Sequence, residues 1–304
     1  MPHTVKMPPS VCGLALGFAT LGNLLAPYGA MLKFLCGCAA FIIIAVYTVK
    51  VFTDLNGCKK EFENPIALSI LPTYSMTLIL LAAFVKPAIP SVAFYVWMLG
   101  ILLHFAIFAV FALRYVRDFA LPSVFPSWFI PAVGIVTVSI SAPTFEMRIF
   151  GQAMFYIGFA LYWAVLILVA ARLLKARVIP EPALPTFAVF AAPMSLCLAG
   201  YLTCFEQPSL PFVLFMLAVS GVSYLAVLLM LAMKLIWLKF HPTFAAFTFP
   251  LIISASAFIM TSSFLTSSGI DAPAFVSVIP LAVAIVLVVY VFVRYCLLWL
   301  SKAS

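Results

Sequence analysis

Apolar runs of around 20 residues follow one another along nearly the whole chain and constrain the fold more than any other feature. A run of this length matches the roughly 30 Å of hydrocarbon that a transmembrane α-helix crosses. Because 66% of the residues are hydrophobic and only 8% are charged, a single water-soluble core could not bury the apolar surface. The period-2 alternation of a transmembrane β-barrel is missing. The sequence therefore predicts an all-α integral membrane protein.

Ten such runs are separated by short polar connections, and they predict one transmembrane domain over residues 1–304. The first run lacks the basic leading segment and the small-residue cleavage site of a signal peptide, so we expect it to be retained in the mature protein. The predicted helices cover residues 9–27, 30–52, 65–84, 90–113, 126–142, 149–173, 185–204, 210–237, 242–265 and 272–299.

Lys and Arg residues are divided unevenly between the two sides of this predicted bundle. An even number of spans places both termini on one side, and only Lys33, Lys86 and Arg148 lie on the other. The positive-inside rule then predicts cytoplasmic N- and C-termini. Orientation explains the net charge of +8, so nucleic acid is not an expected partner. The terminal side holds 13 of the 16 basic residues: Lys6, Lys50, Lys59, Lys60, Arg114, Arg117, Arg172, Lys175, Arg177, Lys234, Lys239, Arg294 and Lys302.

A proline repeat runs through the odd-numbered spans. These spans begin at prolines that are 56, 61, 59 and 57 residues apart: Pro9, Pro65, Pro126, Pro185 and Pro242. A period near 60 residues corresponds to one helical hairpin with its connections, so five tandem hairpins are predicted. Each of the four later odd spans has a second proline, which we expect to kink the helix because proline removes an internal hydrogen bond. These kink residues are Pro72, Pro131, Pro193 and Pro250.

The first span has two glycines, Gly13 and Gly17, where the other odd spans have a second proline. Glycines at i and i+4 share one face of a helix. They would permit either a bend or a close helix contact.

Ser and Thr are concentrated in the odd spans, whereas even spans such as 149–173 are almost purely aliphatic and aromatic. We expect the odd spans to surround a central pore and the even spans to face lipid, because broken backbone at membrane depth must face protein or water. The alternative is that the hydroxyls only join helices, as is common in membrane bundles. The candidate pore-lining residues are Thr248, Ser254, Ser256, Ser69, Thr73 and Ser195.

The predicted membrane interior contains no Lys, Arg, Asp or Glu. Proton-coupled carriers normally need an ionisable residue there. The only candidate, His104, lies on an even span, where a structural hydrogen bond is the simpler interpretation. Passive permeation is therefore favoured, and basic residues at the mouth of an uncharged path weakly favour anions. The seven cysteines form no CxxC pair, so no metal site or cofactor is expected, and no catalytic motif is present.

The hairpin pattern, the segment GLALGFA around Gly13 and Gly17, and AAFTFP at residues 245–250 resemble the family of tellurite-resistance TehA proteins and plant slow anion channels. The resemblance covers essentially the whole chain. It implies a homotrimer in a bacterial or archaeal plasma membrane, with a pore inside each protomer. It also implies a gating phenylalanine on the ninth helix, which falls on Phe249, with Phe247 as the second choice. Family first helices often carry Pro between the glycines, where this chain has Ala15.

The sequence is compatible with three functions. The leading prediction is an anion-selective channel for chloride, nitrate and similar small anions. The second is a C4-dicarboxylate or sulfite exporter of the same family that works as a carrier. The third, a membrane enzyme, would require polar catalytic groups that converge in a cavity.

Overall fold

The described part of the chain contains ten helices that are long and apolar enough to cross a membrane. The computed structural model describes residues 7–175, 179–234 and 237–303, with side chains as far as Ser301, and these ranges contain no strand. The prediction of an all-α membrane protein with ten spans is confirmed. The spans are Val11–Tyr28, Ala30–Thr53, Pro65–Val85, Pro90–Val116, Pro126–Phe145, Arg148–Lys175, Glu181–Cys204, Leu210–Met233, Pro242–Ser267 and Phe275–Ser301.

The spans alternate between inner and outer positions. In each odd span, 61% to 78% of the most apolar stretch is buried, against 28% to 33% in each even span. The odd spans pack on one another in a closed ring, in the order first, third, fifth, seventh, ninth and back to the first. Each even span packs outside this ring, against the odd span before it and the odd span after it. Exposed aliphatic and aromatic side chains of the even spans cover the outside of the bundle, as expected for spans that face lipid.

Three odd spans consist of two helical segments with a junction between them. The α-helical segment after each junction carries the second proline in its first turn, where a missing N–H removes no intrahelical hydrogen bond. The junction therefore precedes Pro72, Pro193 and Pro250 instead of following them. The segments are Pro65–Ile70 and Pro72–Val85, both α-helical; Glu181–Ala191 (3-10) and Ala192–Cys204 (α); and Pro242–Phe247 (3-10) and Phe249–Ser267 (α).

The fifth span changes helix type most often. Pro131 lies inside a short α-helical segment, and the backbone tightens three residues later at Gly134. The segments are Pro126–Trp128 (3-10), Phe129–Val133 (α), Gly134–Val136 (3-10), Thr137–Ser141 (α) and Ala142–Phe145 (3-10).

His104 is buried where the fourth span meets the third and the fifth. Its Nε2 lies 3.2 Å from the carbonyl oxygen of Pro131, which can only accept, so Nε2 donates. Its Nδ1 lies 3.0 Å from the hydroxyl oxygen of Ser75. The side chain thus joins three spans at an irregular stretch of backbone, which is the structural role expected from its position on an even span.

Glycines allow the outer spans to approach the inner ring closely. A Cβ placed on Gly158 of the sixth span would lie 2.2 Å from Cγ2 of Val136 in the fifth. Gly221 of the eighth span has no neighbouring atom within 4 Å of the same position. Two glycines of outer spans therefore differ completely in what surrounds them.

We expect Gly158→Ala to lower the free energy of unfolding by ~1–3 kcal/mol, because the added methyl must push Val136 aside in a packed interior. Gly221→Ala is the matched control and should stay within about 0.5 kcal/mol of the parent. Thermal unfolding in detergent measures both. Equal stability of the two variants would contradict the close contact at Gly158.

Candidate functional site

Two cavities lie inside the ring of odd spans, one above the other along its axis. Within the described residues, all five odd spans contribute to each cavity and the even spans contribute to neither. One cavity, of about 50 Å³, is bordered by residues near the starts of the odd spans, such as Ser10 and Thr243. The other, of about 250 Å³, is bordered by residues near their ends, such as Asn23 and Met260. We call them the basic-end cavity and the far cavity.

The basic end is the end of the bundle at which the odd spans begin and the even spans end. Of the basic residues assigned to that side from the sequence, Lys6 and Arg177 lie outside the described residues, as does the side chain of Lys302. The others that can be described are Lys50, Lys59, Lys60, Arg114, Arg117, Arg172, Lys175, Lys234, Lys239 and Arg294.

Phe249 and Leu196 stand between the two cavities. They are the residues, in the described ranges, that border both the basic-end and the far cavity. Phe249 begins the α-helical segment of the ninth span and is 7% exposed, and Leu196 of the seventh span is 2% exposed. An aromatic ring and an isobutyl group therefore separate the two spaces near the middle of the ring.

Phe247, the second choice for this position, lies elsewhere. It is fully buried and packs against Phe244, with the two ring centroids 4.8 Å apart. It borders neither cavity in the part of the chain that is described. Phe247 ends the 3-10 segment and Phe249 begins the α-helical segment. Their side chains therefore point away from the ninth span in different directions, which explains why Phe249 borders the cavities and Phe247 does not.

Four of the six hydroxyl residues expected to line a pore instead form contacts between or within helices. Ser195 and Ser254 both donate to the carbonyl oxygen of Ala191, each at 2.8 Å. The hydroxyl of Ser69 lies 2.6 Å from that of Ser127, and Thr248 bonds to backbone carbonyls of the first and ninth spans. The remaining two, Thr73 and Ser256, border the basic-end cavity and the far cavity respectively.

Most of the hydroxyls that border the cavities already donate a hydrogen bond to another group of the protein. In the basic-end cavity, Thr73, Thr186 and Thr243 donate to the carbonyls of Ile70, Ala183 and Pro182 at 2.6–2.8 Å. In the far cavity, Thr20 and Ser256 donate to carbonyls one turn earlier in their own helices. Among the hydroxyls that border the cavities, the buried one of Thr137 has no hydrogen-bond partner in the described ranges. The walls of both cavities thus consist mainly of apolar groups, with hydroxyl oxygens that can accept a hydrogen bond.

The cavity walls carry no formal charge. Across the described ranges, neither cavity is bordered by Lys, Arg, His, Asp or Glu. The first turns of two α-helices, at Ala192–Pro193 and Phe249–Pro250, face the basic-end cavity. Helix N-termini carry a partial positive charge, which favours an anion over a cation in the adjacent space.

His241 stands at the basic-end mouth, immediately before the ninth span. Its Nδ1 accepts a hydrogen bond of 3.4 Å from the backbone N–H of Thr243 and so caps the span. Burial lowers the pKa of His241 below its ordinary value, because the charged imidazolium would lose hydration. The uncharged ring is therefore the form that caps the ninth span at neutral pH.

The pore-lining candidates chosen from the sequence did not include six residues that border the cavities: Leu196, Thr186, Thr243, Ser10, Thr20 and Thr137. Each lies on an odd span, which the proline repeat had already identified as inner. What the repeat does not report is the rotation of each span about its own axis. A buried span is apolar on every side, so no hydrophobic periodicity distinguishes the residues that face the cavity.

The comparison with known protein families is decisive for membership. The family model described as voltage-dependent anion channel (SLAC1) matches residues 6–296. The chain belongs to this family. The resemblance inferred from the sequence is thereby confirmed, and the protein is a multi-pass membrane protein of an anion channel and transporter family, a family that is not enzymatic. No curated protein matches the chain.

The placement of Ser254 and Ser256 can be tested by stability. Ser254→Ala should lower the unfolding free energy by ~0.5–1.5 kcal/mol, because its hydroxyl joins the ninth span to the seventh at Ala191. Ser256→Ala should leave stability nearly unchanged, because its hydroxyl bonds only within its own helix. Thermal unfolding of both purified variants is the measurement, and a larger loss for Ser256→Ala would contradict the placement.

Proposed function

We propose that the protein is a channel for small monovalent anions such as chloride and nitrate, with Phe249 as its gate. The observation that carries this proposal is the position of Phe249 between two cavities that together follow the axis of the inner ring. The anion path runs from the basic-end cavity past Phe249 and Leu196 into the far cavity. Thr73 and Ser256 line it on either side of the gate.

The proposed gate works by excluding water. A benzene ring across a narrow path offers no hydrogen bond, so an anion at that point loses hydration without a replacement. Displacement of the ring would let water, and with it the anion, pass continuously between the cavities. The junction at Thr248 and Pro250 lies beside Phe249 and is the proposed hinge.

Selectivity for anions over cations follows from the electrostatics of the path. The N-terminal turns of the seventh- and ninth-span α-helices contribute positive potential at the basic-end cavity. The basic residues at the same end raise the local anion concentration. By the positive-inside rule this end is cytoplasmic, which places both termini in the cytoplasm.

The exporter alternative is less well supported than the channel. A dicarboxylate or sulfite ion carries two charges, and binding sites for such ions normally supply Arg or Lys. The described cavity walls supply neither. We therefore favour permeation without a tight binding site over alternating access.

The assembly implied by the family resemblance, a homotrimer in a bacterial or archaeal plasma membrane, stays a prediction. It agrees with one feature of the chain: both cavities are formed entirely within a single chain, so each protomer of a trimer would carry its own path.

Phe249→Ala should raise chloride flux into liposomes by on the order of tenfold or more, because it removes the apolar barrier from the path. Phe247→Ala is the control for loss of an aromatic ring from the same span, and it should not raise flux because Phe247 borders neither cavity. Size-exclusion chromatography establishes that both variants are folded. An unchanged flux through folded Phe249→Ala would refute the gate.

The Phe249→Ala variant should also pass nitrate more readily than chloride, and both far better than sulfite or malate. Its walls offer few free donors, so the cost of losing hydration decides which anion enters, and this cost rises steeply for divalent ions. Currents in planar bilayers under exchange of these anions give the order. Saturating counter-exchange of malate without current would support the carrier instead.

A further inference from the structure

Thr248 is the residue at which the ninth span changes helix type. It follows the 3-10 segment, precedes Phe249 directly and has a backbone conformation, φ −94° and ψ −88°, that belongs to neither helix. Its backbone N–H donates to the carbonyl of Ala245, as in the 3-10 segment, and its own carbonyl accepts from Leu251 and Ile252 of the α-helix, so the two hydrogen-bond patterns meet at this residue. The contacts of the Thr248 side chain therefore bear directly on where the following residue points.

The hydroxyl of Thr248 joins the junction to the first span. It lies 3.1 Å from the carbonyl oxygen of Gly13 in the first span and 2.7 Å from that of Ala245 in its own span. Carbonyl oxygens only accept, so Thr248 is the donor in both contacts and shares one proton between them. The side chain is fully buried, which means that water does not replace either acceptor.

The first span is shaped to receive this side chain. A Cβ on Gly17 would lie 2.8 Å from both Cβ and Oγ1 of Thr248, and 3.4 Å from the backbone nitrogen of Phe249. A Cβ on Gly13 would lie 3.4 Å from that of Ala245. The first span remains α-helical through both glycines, so they serve close approach to the junction.

We propose that Thr248 is a positioning residue that holds the Phe249 ring across the path by fastening the junction of the ninth span to the first span. This role rests on the proposed gate. Motion that carries Phe249 out of the path moves the junction relative to Gly13 and breaks the hydrogen bond to its carbonyl. The bond therefore stabilises the closed path and not the open one.

Replacement of the hydroxyl tests this role. Thr248→Val keeps the branched shape and removes the donor, and it should raise chloride flux by about 2- to 12-fold, the ratio that corresponds to one net hydrogen bond. Thr248→Ser restores the donor and should restore the parent flux. Thr248→Ala removes the donor without adding volume and should act like Thr248→Val, which covers the case in which valine disturbs folding.

Thr261→Val provides a matched control. Thr261 lies on the same span, is equally buried and donates to the carbonyl of Ala257 in its own helix. Among the described residues, its hydroxyl forms no hydrogen bond with the first span and its side chain borders neither cavity. Its loss of a hydroxyl should leave flux unchanged.

A double-mutant cycle separates positioning from a general loosening of the bundle. If Thr248 acts through the Phe249 ring, Thr248→Val should add nothing to the flux of Phe249→Ala. Additive effects would overturn the proposal, as would a raised flux in Thr248→Ser or in Thr261→Val.

The same measurements distinguish failure of the gate from failure of the positioning role. If Phe249→Ala does not raise flux, the gate is wrong and the role of Thr248 is wrong with it. If Phe249→Ala raises flux while folded Thr248→Val and Thr248→Ala do not, the gate stands and only the positioning role is wrong.

Discussion

An interrupted helix inside a membrane must find partners for its freed backbone groups within the protein, because lipid offers none. This requirement governs the inner ring. At the third-span junction Thr73 donates to the carbonyl of Ile70, the last residue of the first segment, and His104 of the fourth span donates to the carbonyl of Pro131 in the fifth. Ser254 of the ninth span donates to the carbonyl of Ala191, the last residue of the 3-10 segment in the seventh span. The hydroxyls of the odd spans are thus placed first by the needs of the backbone.

Two interpretations of those hydroxyls, a polar path and a set of helix contacts, turn out to be compatible. Thr73 and Thr243 border the basic-end cavity, yet each also donates to a carbonyl near a span start or junction. One proton cannot serve a carbonyl and a passing ion together. The proposed path therefore has hydroxyl oxygens along it but few free hydrogen-bond donors, because the backbone carbonyls of the ring already occupy those donors.

The sequence predicted the arrangement of the helices better than it predicted which residues border the cavities. The proline period near 60 residues and the concentration of hydroxyls in odd spans predicted which five helices lie inside. The residues that face the axis were harder to predict: Ser254 and Ser256 are two positions apart on one span, and only Ser256 borders a cavity. Where every face of a helix is apolar and buried, its rotation is set by contacts such as that of Gly17 with Thr248, which span sequence positions far apart.

A path without charged side chains lets an anion pass more easily but binds it less tightly. A buried Arg or Lys would attract an anion strongly, but an ion must also leave, and conduction therefore needs interactions that are weak or distributed over several sites. Helix N-termini distribute partial charge over several N–H groups and leave no side-chain counter-ion in the path. In this ring, the junction of the ninth span creates one of those N-termini and also lies beside Phe249, which borders both cavities. In the proposed channel, part of the anion selectivity and the gate therefore depend on the same break in the ninth span.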